Sequence, residues 1–321
     1  MHRSLAYGVL LTLVFIAGSV FYIAKKNMSK EAISVFLSLD KRYFFLSLLS
    51  MFLYHTFDNL RLYVLARALK LRYSFLYGYV VSLINTFGAT ITPAHMGGEL
   101  MSLYTLSRKG GKFHKVASVV TVKTITGTTF FLIALPYALY VFYENPTQAK
   151  KLIGVFGFFL LLFVGIYFVV RLVFNKTKTS SKQTLRKLRY NLKRYLVNLR
   201  LFWKVGKSAL IIACLSSVAL YISFLASGAF LVKSFEPYTS FFKAFKDQIL
   251  LLYALFASPT PGGAGVGEVG ALYAFEGIID PYTLGAFSIL WRFVSQYLSA
   301  LIGGIAFGIL VFIDARRYRL R

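Results

Sequence analysis

The sequence has few of the residues that mark several common classes of protein. Cys214 is the only cysteine among 321 residues, which excludes a disulfide framework and a Cys-x-x-Cys metal site. The histidines, His2, His55, His95 and His114, lack the spacing of metal ligands. There is no phosphate-binding loop of the ATPase type and no visible set of nucleophile, base and orienting residue. We therefore expect no metal, no cofactor and no enzymatic activity.

Acidic residues are also scarce. The chain has 11 Asp and Glu residues and 37 Lys and Arg residues, which gives a net charge of +26. Charged residues make up 15% of the chain, whereas a soluble domain has about a quarter. An excess of positive charge attracts nucleic acid or anionic lipid head groups. Here the basic residues lie in short loops between apolar runs, the pattern that sets membrane topology, so we expect no nucleic-acid partner.

Long apolar runs dominate the rest of the sequence. Hydrophobic residues make up 57% of the chain, and the mean hydropathy is +0.65. A helix of about 20 apolar residues crosses the roughly 30 Å hydrocarbon core of a bilayer. The first run has no signal-peptide cleavage site and is predicted to be a retained span. We predict an all-α polytopic membrane protein, a single transmembrane domain over residues 1–321, with about six full spans at 5–24, 43–66, 116–143, 152–174, 209–232 and 283–313.

Two further hydrophobic regions, residues 74–107 and 245–278, are interrupted by proline and glycine. The breaks are expected near Thr92–Pro93 and Gly97–Gly98, and at residues 258–263. Proline removes a backbone donor and glycine weakens a helix. Broken helix persists at membrane depth only inside protein or beside a wet cavity. Because each arm is too short to span comfortably, both regions are predicted to be re-entrant hairpins.

The basic segments set the expected topology. Residues 176–207 are basic without an acid, and the C-terminal tail is also basic, so both are predicted to be cytoplasmic. We then expect cytoplasmic N- and C-termini in the cell membrane, with the two hairpins entering from opposite faces. Within 176–207, leucines and Trp203 recur every three or four residues. This pattern predicts an amphipathic basic helix that lies on an anionic leaflet or packs on the bundle.

The two halves of the chain share one plan, so we predict an inverted repeat over about 1–143 and 150–315. Each half has a Thr-Pro pair, a glycine-rich stretch with a glutamate, and a basic residue in the next span. The spacing from Glu99 to Lys123 equals that from Glu268 to Arg292. Inverted repeats are common in secondary transporters, whose sites lie where broken segments meet.

Six ionisable residues are predicted inside spans or hairpins: Asp58, Arg61, Glu99, Lys123, Glu268 and Arg292. A charge in hydrocarbon costs at least about 2.5–3.5 kcal/mol, so these residues must pair or face a polar cavity. In the functional interpretation the cations bind an anion, and the glutamates hold those cations or carry a proton. In the structural interpretation, Glu99–Lys123 and Glu268–Arg292 are ion pairs that fix the hairpins. Asp58 and Arg61, at i and i+3, are expected to pair locally.

Glycines at the second break suggest a phosphate contact. A bent tip has free backbone N–H groups, and a helix that begins there directs its positive end at the tip. Gly262, Gly263 and Gly265 are therefore candidate phosphate contacts. The run Gly265-x-Gly267-x-x-Gly270 has the letters of the dinucleotide fingerprint, but no βαβ unit surrounds it.

Several of these motifs resemble a known family. The run Ser258-Pro259-Thr260-Pro261-Gly262-Gly263, continued to Glu268, resembles the Pro-Thr-Pro-Gly-Gly signature of the lysylphosphatidylglycerol synthase transmembrane region, also called the flippase-like or UPF0104 family. Arg292 followed by Gly303-Gly304 looks like that family's last span, and Asn85, Pro93 and Gly98-Glu99 resemble its first-half motif. The similarity covers essentially the whole chain.

The chain departs from the family pattern in two places. Met101-Ser102 stands where a basic residue is expected after the first glutamate, and the span around Lys123 lacks the usual acidic partners. Lys123 keeps the positive charge of this span, but any step there that depends on an acidic residue is in doubt. The resemblance implies movement of a phospholipid or polyprenyl-linked lipid between leaflets. Longer members add a cytosolic aminoacyl transferase domain, and since this sequence stops at Arg321 we expect no synthase activity.

The leading hypothesis is a flippase or translocation facilitator for an anionic or phosphate-bearing lipid, its head group held between the two hairpins. The alternatives are a secondary transporter of a small soluble anion and a non-transport scaffold of envelope lipid synthesis. Expected partners are anionic phospholipids or a polyprenyl-linked lipid, with a homodimer left open. The candidate substrate-binding residues are Lys123, Arg292, Glu99, Glu268, Asn85, Pro93, Gly98, Thr260, Pro261, Gly262, Gly263 and Gly265.

Overall fold

A computed structural model describes residues 18, 39–92, 95–144, 183–204, 206–258 and 260–319. These residues form helices joined by short connections, without a β-strand in the described ranges. The predicted spans at 152–174 and, apart from Gly18, at 5–24 lie outside the described residues, as do Pro93 and Pro259. The prediction of an all-α chain is confirmed for the part that the structure describes.

The described part of the first half contains a long helix, two short helices and a second long helix. The short pair lies within the predicted hairpin region 74–107, and its break lies between Thr90 and Met96. Gly97 and Gly98 lie inside the first turn of the second short helix instead of in the break, which corrects their predicted placement. The helices are α1 Lys41–Ala68, α2 Phe75–Thr90, α3 Met96–Ser107 and α4 Phe113–Glu144.

Within the described residues, the second half repeats this order after a connecting helix. The connecting helix is α5, Gln183–Lys204. A long helix, α6, precedes two short helices, and the last long helix is interrupted by a π-helical turn at Phe293–Tyr297. The remaining helices are α6 Lys207–Phe235, α7 Phe241–Ala257, α8 Val266–Phe275, α9 Leu284–Arg292 and α10 Leu298–Arg319. This order agrees with the predicted repeat, whose bounds stay a prediction.

Helix starts follow local side-chain chemistry. The Asp40 carboxylate accepts a hydrogen bond from the backbone N–H of Arg42 at 2.9 Å, where α1 begins. The Ser74 hydroxyl accepts from the N–H of Tyr77 at 3.3 Å, at the start of α2. Both residues satisfy backbone donors that the first helical turn leaves without partners. The sequence thus places the starts of these helices at polar residues that border apolar runs.

Three helical segments among the described residues are long and apolar enough to cross a membrane: Phe113–Val141, Lys207–Phe235 and Leu284–Arg316. They correspond to the predicted spans at 116–143, 209–232 and 283–313. The predicted span at 43–66 is also a single helix, α1, whose 28 residues give about 42 Å at 1.5 Å per residue. The total of six spans and the re-entrant character of the short pairs stay predictions.

Helices α1 and α6 form the centre of the bundle and run antiparallel. The N–H of Asp40, before α1, donates to the carbonyl of Ser234, near the end of α6, at 3.1 Å. The Ser47 and Ser227 hydroxyls lie 3.0 Å apart in the same interface. Further along, the Arg61 Nη1 donates to the Ser217 hydroxyl at 3.3 Å. Small serine side chains let the two backbones approach closely.

The last helix packs closely on the first broken pair because of two glycines. A Cβ at Gly303 would collide with the backbone of Leu83 in α2, and one at Gly304 would lie 3.1 Å from the Phe87 ring. Small residues at such contacts permit close packing of membrane helices. Helices α2 and α10 are therefore held together over the region next to the first break.

Helix α5 confirms the helix predicted within 176–207 and packs on the bundle. The buried Asn198 amide lies 3.2 Å from His114 Nδ1 of α4, and Phe202 is buried in the core. By contrast, Leu196 and Trp203, members of the predicted apolar stripe, are exposed. One face of α5 is therefore packed on protein, while part of the predicted stripe remains available to a lipid surface.

Candidate functional site

The two breaks meet in the interior of the protein. The N–H of Gly262, in the second break, donates to the carbonyl of Thr92, in the first, at 3.4 Å. The Gln296 amide, from the π-helical turn, donates to the Thr90 hydroxyl at 2.8 Å. A Cβ at Gly262 would lie only 2.8 Å from the Thr90 Cα. Segments far apart in sequence therefore form one closed junction, and glycine at 262 permits it.

The second break is a tight turn in which the predicted residues have structural roles. The Thr260 hydroxyl donates to the carbonyl of Ala264 at 2.8 Å, and the carbonyl of Pro261 accepts from the N–H of Ala264 at 2.9 Å. Gly262 and Gly263 have φ values of +58° and +70°. This left-handed region is costly for residues with a Cβ. The signature sequence thus specifies the shape of the turn.

A buried ion pair anchors the second break. The Arg292 guanidinium lies 3.4 Å from the Glu268 carboxylate, and both side chains are almost completely buried. Arg292 also donates to the carbonyl of Gly262, and the Tyr297 hydroxyl donates to the same carboxylate. The predicted Glu268–Arg292 pair is confirmed. Because Arg292 bonds to the turn itself, the pair fixes the turn that meets the first break.

The prediction of free backbone N–H groups at the second break is wrong for this conformation. The N–H of Gly263 donates to the carbonyl of Thr260 at 3.1 Å, and the N–H of Gly262 donates to Thr92. The N–H of Gly265 donates to the Glu268 carboxylate at 2.6 Å. The side chain of Glu268 therefore supplies the negative charge that the N-terminus of α8 favours. A phosphate would have to displace these bonds.

A second buried charged cluster joins α1 and α4. The Arg61 Nε and Nη2 donate to Asp58 Oδ1 at 2.9 and 2.7 Å, which confirms the predicted local pair. The Lys123 ammonium lies 3.5 Å from the same oxygen. Lys123 is therefore paired with Asp58, and the predicted Glu99–Lys123 pair is wrong. Gly127, one turn after Lys123, faces Arg61 with only 3.0 Å to an added Cβ, so this face of α4 packs directly against the Asp58 face of α1.

Glu99 is left without its predicted cation. One carboxylate oxygen, Oε2, is buried and has no hydrogen-bond partner in the part of the chain that the structure describes. Within the described residues, Glu99 is therefore not bonded to the α1–α4 cluster.

Asn85 and Gly98 hold the first broken pair together. The Asn85 amide in α2 donates to the Ser102 hydroxyl in α3 at 2.8 Å. A Cβ at Gly98 would lie 2.9 Å from the carbonyl oxygen of Asn85. These contacts give both residues a packing role in this conformation, and Pro93 lies outside the described residues.

Several residues of the junction were not found from the sequence. His55 in α1 lies 2.9 Å from the Ser82 hydroxyl and 2.8 Å from that of Ser299, which ties α1 to α2 and α10. Gln296 and Tyr297 reach Thr90 and Glu268 from the π-helical turn. A π-helical turn changes the direction of side chains within a continuous apolar run, and its sequence, Phe-Val-Ser-Gln-Tyr, carries no proline or glycine to reveal it.

The buried charges do not balance within the described residues. Three cations, Arg61, Lys123 and Arg292, are buried, whereas only two carboxylates, Asp58 and Glu268, are buried as whole residues. The excess is located at α1 and α4, where two cations contact one carboxylate. Lys123 has three donors, and its 3.5 Å contact is longer than the roughly 2.7–2.9 Å of a strong charge-assisted hydrogen bond. The cluster therefore has donor capacity for an additional anion.

A cavity of about 480 Å³ lies away from this junction. It is bordered by the end of α1, the end of α5 and the start of α6, with Arg67 and Ser208 among its polar residues. Within the described ranges, there is no group of three or more His, Cys, Asp or Glu residues arranged to hold a metal ion. The charged clusters are thus the chemically distinctive features of the interior.

Comparison with known proteins places this arrangement in a family. The sequence profile of the family described as "Lysylphosphatidylglycerol synthase TM region" matches residues 8–303. A protein of Archaeoglobus fulgidus, described as a UPF0104 membrane protein, is 23% identical over 264 residues, which cover 77% of this chain and 80% of the relative. The profile match includes both broken helix pairs and both charged clusters.

Proposed function

The chain belongs to the lysylphosphatidylglycerol synthase transmembrane family, and from this premise we propose that it moves an anionic, phosphate-bearing lipid between the leaflets of a membrane. The head group crosses through the protein interior while the acyl chains stay in the bilayer. The protein acts as a facilitator of movement and not as an enzyme. This proposal retains the leading interpretation of the sequence.

The observation that carries the proposal is the excess buried cation beside Asp58. Two cations, Arg61 and Lys123, share this single carboxylate. An uncompensated charge at membrane depth costs at least about 2.5–3.5 kcal/mol. A phosphodiester supplies one negative charge, so its binding removes this cost. In the proposed mechanism, Lys123 therefore contacts the phosphate first, and Arg61 stays bonded to Asp58.

The junction of the two breaks acts as the gate in this mechanism. Here Gly262 contacts Thr92, and Gln296 contacts Thr90, so the two breaks are held against each other. The gate opens when these bonds break, while the turn that Arg292 and Glu268 hold keeps its shape. The hairpins are proposed to be re-entrant, to enter from opposite faces and to form part of an inverted repeat with six full spans. Both termini are proposed to be cytoplasmic, in the cell membrane.

The test is transfer of fluorescent phosphatidylglycerol across the bilayer of reconstituted vesicles, followed by quenching of the outer leaflet with a membrane-impermeant reductant. We expect the protein to increase the fraction that is quenched, with a smaller effect on fluorescent phosphatidylcholine, whose head group has no net charge. Unlabelled polyprenyl phosphate, added as a competitor, distinguishes the two lipid classes.

Two results would contradict the proposal. Uptake of radiolabelled inorganic phosphate without lipid transfer would indicate a transporter of soluble anions. Quenching no different from that of protein-free vesicles, with no anion uptake, would indicate a scaffold role. Empty vesicles and vesicles that contain heat-inactivated protein control for leakage of the reductant.

A further inference from the structure

We propose that a stationary anionic phospholipid binds in the cavity between the end of α1, the end of α5 and the start of α6, with its phosphate on Arg67. Because this lipid is a bound component of the protein and not its cargo, its binding does not depend on the proposed function. Three observations carry the proposal: the size and lining of the cavity, the bonding of Arg67, and the position of the cavity at the edge of the apolar surface.

The cavity has the size and lining of a small-molecule site. Its volume is about 480 Å³, within the roughly 300–1,000 Å³ of ligand pockets, which combine apolar walls with a few polar groups. The polar side chains that line it are Tyr63, Arg67 and Ser208. The apolar walls include Val64, Leu201, Phe202 and Ile212. None of these residues belongs to either charged cluster, so the cavity is a separate site.

Arg67 is positioned by neutral groups and keeps donors for an anion. Its Nη2 donates to the Tyr63 hydroxyl at 2.7 Å and to the carbonyl of Tyr73 at 3.4 Å, and the guanidinium lies 4.8 Å from the centre of the Tyr63 ring. Within the described residues, it has no carboxylate partner, and its Nε and Nη1 donate to no other group. A guanidinium is a planar fork of five N–H donors that matches phosphate oxygens. Arg67 can therefore bind a phosphate without losing its present bonds.

The helices that border the cavity supply no negative charge near it. The sequence has no acidic residue between Asp58 and Glu99 or between Glu144 and Glu236, so α5, α6 and the last part of α1 are free of acids. Four exposed basic residues lie in the chain segments next to the cavity: Lys70, Arg72, Lys204 and Lys207. A bound anion would therefore meet only positive side-chain charge from these segments.

The cavity lies where the apolar surface of the bundle ends. Ile211 and Leu215 on α6 are exposed apolar residues, whereas Lys207 and Ser208, just before them, are exposed and polar. Trp203, at the end of α5, is 72% exposed. Tryptophan favours the boundary between hydrocarbon and head groups, and basic pockets between membrane helices bind anionic head groups. A lipid of the adjoining leaflet can therefore place its phosphate on Arg67 while its acyl chains lie along α6.

Other occupants fit this cavity less well. The parts of the chain outside the described residues contain a single acid, Glu31, so they offer little to pair with Arg67. A second copy would bring a net charge of +26 towards the same basic surface, and like charges repel. A free phosphate ion would match Arg67 but not the apolar walls. An anionic phospholipid satisfies both parts of the lining.

The first measurement uses Trp203 as a local probe. The chain has two tryptophans, and Trp291 is buried, so lipids with brominated acyl chains should mainly quench the fluorescence of Trp203. The full chain is placed in nanodiscs in which either phosphatidylglycerol or phosphatidylcholine is brominated, and Trp203→Phe gives the remaining signal of Trp291. We expect a preference for phosphatidylglycerol of at least about fivefold, the effect of one cation near an anionic lipid. Equal affinities for the two lipids would overturn the proposal.

Two variants separate a bound lipid from general attraction to a basic surface. Arg67→Gln removes the cation, whereas Ala209→Phe fills the cavity and leaves every charge in place. Each should lower the preference about fivefold, with unfolding temperature as the check that the variant is folded. The matched controls are Arg42→Gln, at the opposite end of α1, and Leu215→Phe, on the exposed face of α6. A full preference in Ala209→Phe would show that the lipid needs no cavity and would overturn the proposal.

The second measurement identifies the class of ligand. Thermal unfolding of the full chain in detergent is followed with dihexanoyl phosphatidylglycerol, dihexanoyl phosphatidylcholine or inorganic phosphate, because a ligand of the folded state raises the unfolding temperature. We expect the largest rise with phosphatidylglycerol, and its loss in Arg67→Gln but not in Arg42→Gln. An equal rise with inorganic phosphate would indicate a site for soluble anions and would contradict a lipid site.

Lys123→Met distinguishes this cavity from the proposed transport site. In this variant the rise in unfolding temperature with phosphatidylglycerol should persist, and the further change Arg67→Gln should abolish it. A rise that disappears in Lys123→Met alone would place the lipid at the charged cluster and overturn the proposal. Absence of lipid transfer by the wild type would contradict the proposed function and leave the cavity lipid in place.

Discussion

The two halves of the molecule have similar charged residues but use them differently. In the second half, Glu268 is bonded to Arg292, to the N–H of Gly265 and to Tyr297. In the first half, Lys123 is held by Asp58, and one oxygen of Glu99 has no donor among the residues that the structure describes. A satisfied buried network is rigid, whereas a partly satisfied one is costly and depends on its state of charge. The second half therefore holds the junction, and the first half has the excess buried cation on which the proposed function rests.

The largest expected effect comes from breaking the second-half pair. Replacement Arg292→Met leaves the carboxylate of Glu268 buried without its cation, which costs about 3–5 kcal/mol for a buried pair. We expect a marked loss of thermal stability of the purified protein in detergent, measured by tryptophan fluorescence. The double replacement Glu268→Gln/Arg292→Met should recover part of the loss.

Arg108→Met is the matched control for that experiment. Arg108 pairs with Asp314 at 2.6 Å, but this pair is partly exposed. Exposed pairs contribute about 0–1 kcal/mol, so this replacement should change stability far less. Equal effects of Arg108→Met and Arg292→Met would refute the structural role assigned to the buried second-half pair.

A second prediction concerns the contact between the halves. Replacement Gly262→Ala adds a Cβ that collides with the Thr90 backbone at 2.8 Å, in addition to the strain of φ +58°. Overpacking costs about 1–3 kcal/mol, and the left-handed backbone about 1–2 kcal/mol. We expect reduced stability and altered lipid transfer, because the breaks can no longer close.

Gly265→Ala isolates the backbone strain in the same turn. Gly265 has φ +84° and nothing within 4 Å of an added Cβ. Its replacement should therefore cost only backbone strain, about 1–3 kcal/mol for the sparsely populated conformation of φ +84° and ψ −53°. If both alanine variants lose the same stability and transfer, the contact of Gly262 with the first break does not contribute to closure.

A third prediction concerns the first-half cluster, where function should change more than stability. After Lys123→Met, Asp58 keeps its two short bonds to Arg61, so we expect only a small change in unfolding temperature. Transfer of phosphatidylglycerol should fall at least about tenfold, equivalent to about 1.4 kcal/mol. Lys112→Met, at an exposed residue just before α4, should leave transfer unaffected. A large loss of stability with normal transfer would reverse the roles assigned to the two halves.

The smallest expected effect is at the hydrogen bond between Gln296 and Thr90. Replacement Gln296→Leu removes one link between the breaks and should cost about 0.5–1.5 kcal/mol. The open state would gain population, so lipid transfer should rise modestly in the same vesicle assay. Slower transfer in this variant would show that the bond supports the transport cycle and does not restrain it.

Sequence patterns predicted the elements better than the contacts between them. Apolar runs placed the long helices that the structure describes, and the Pro-Thr-Pro-Gly-Gly signature placed the second break. The first break was placed correctly except for Gly97 and Gly98, which lie in α3, and the Glu268–Arg292 pair followed from spacing. Equal spacing also suggested that Glu99 pairs with Lys123. Spacing along the chain, however, does not determine which neighbouring helix a residue faces. Asp58 reaches Lys123 because α4 approaches α1 at Gly127. The π-helical turn was missed because nothing in its residues interrupts the apolar pattern.

The most direct test of this account is an electron cryomicroscopy structure of the protein in nanodiscs that contain phosphatidylglycerol, compared with nanodiscs of phosphatidylcholine alone. The predicted result is phosphate density within hydrogen-bond distance of Lys123 and close to Arg61, present only with phosphatidylglycerol, with Glu268 and Arg292 still paired. Phosphate density bound instead at Arg292 and the backbone of residues 262–265 would contradict the division of roles between the two halves.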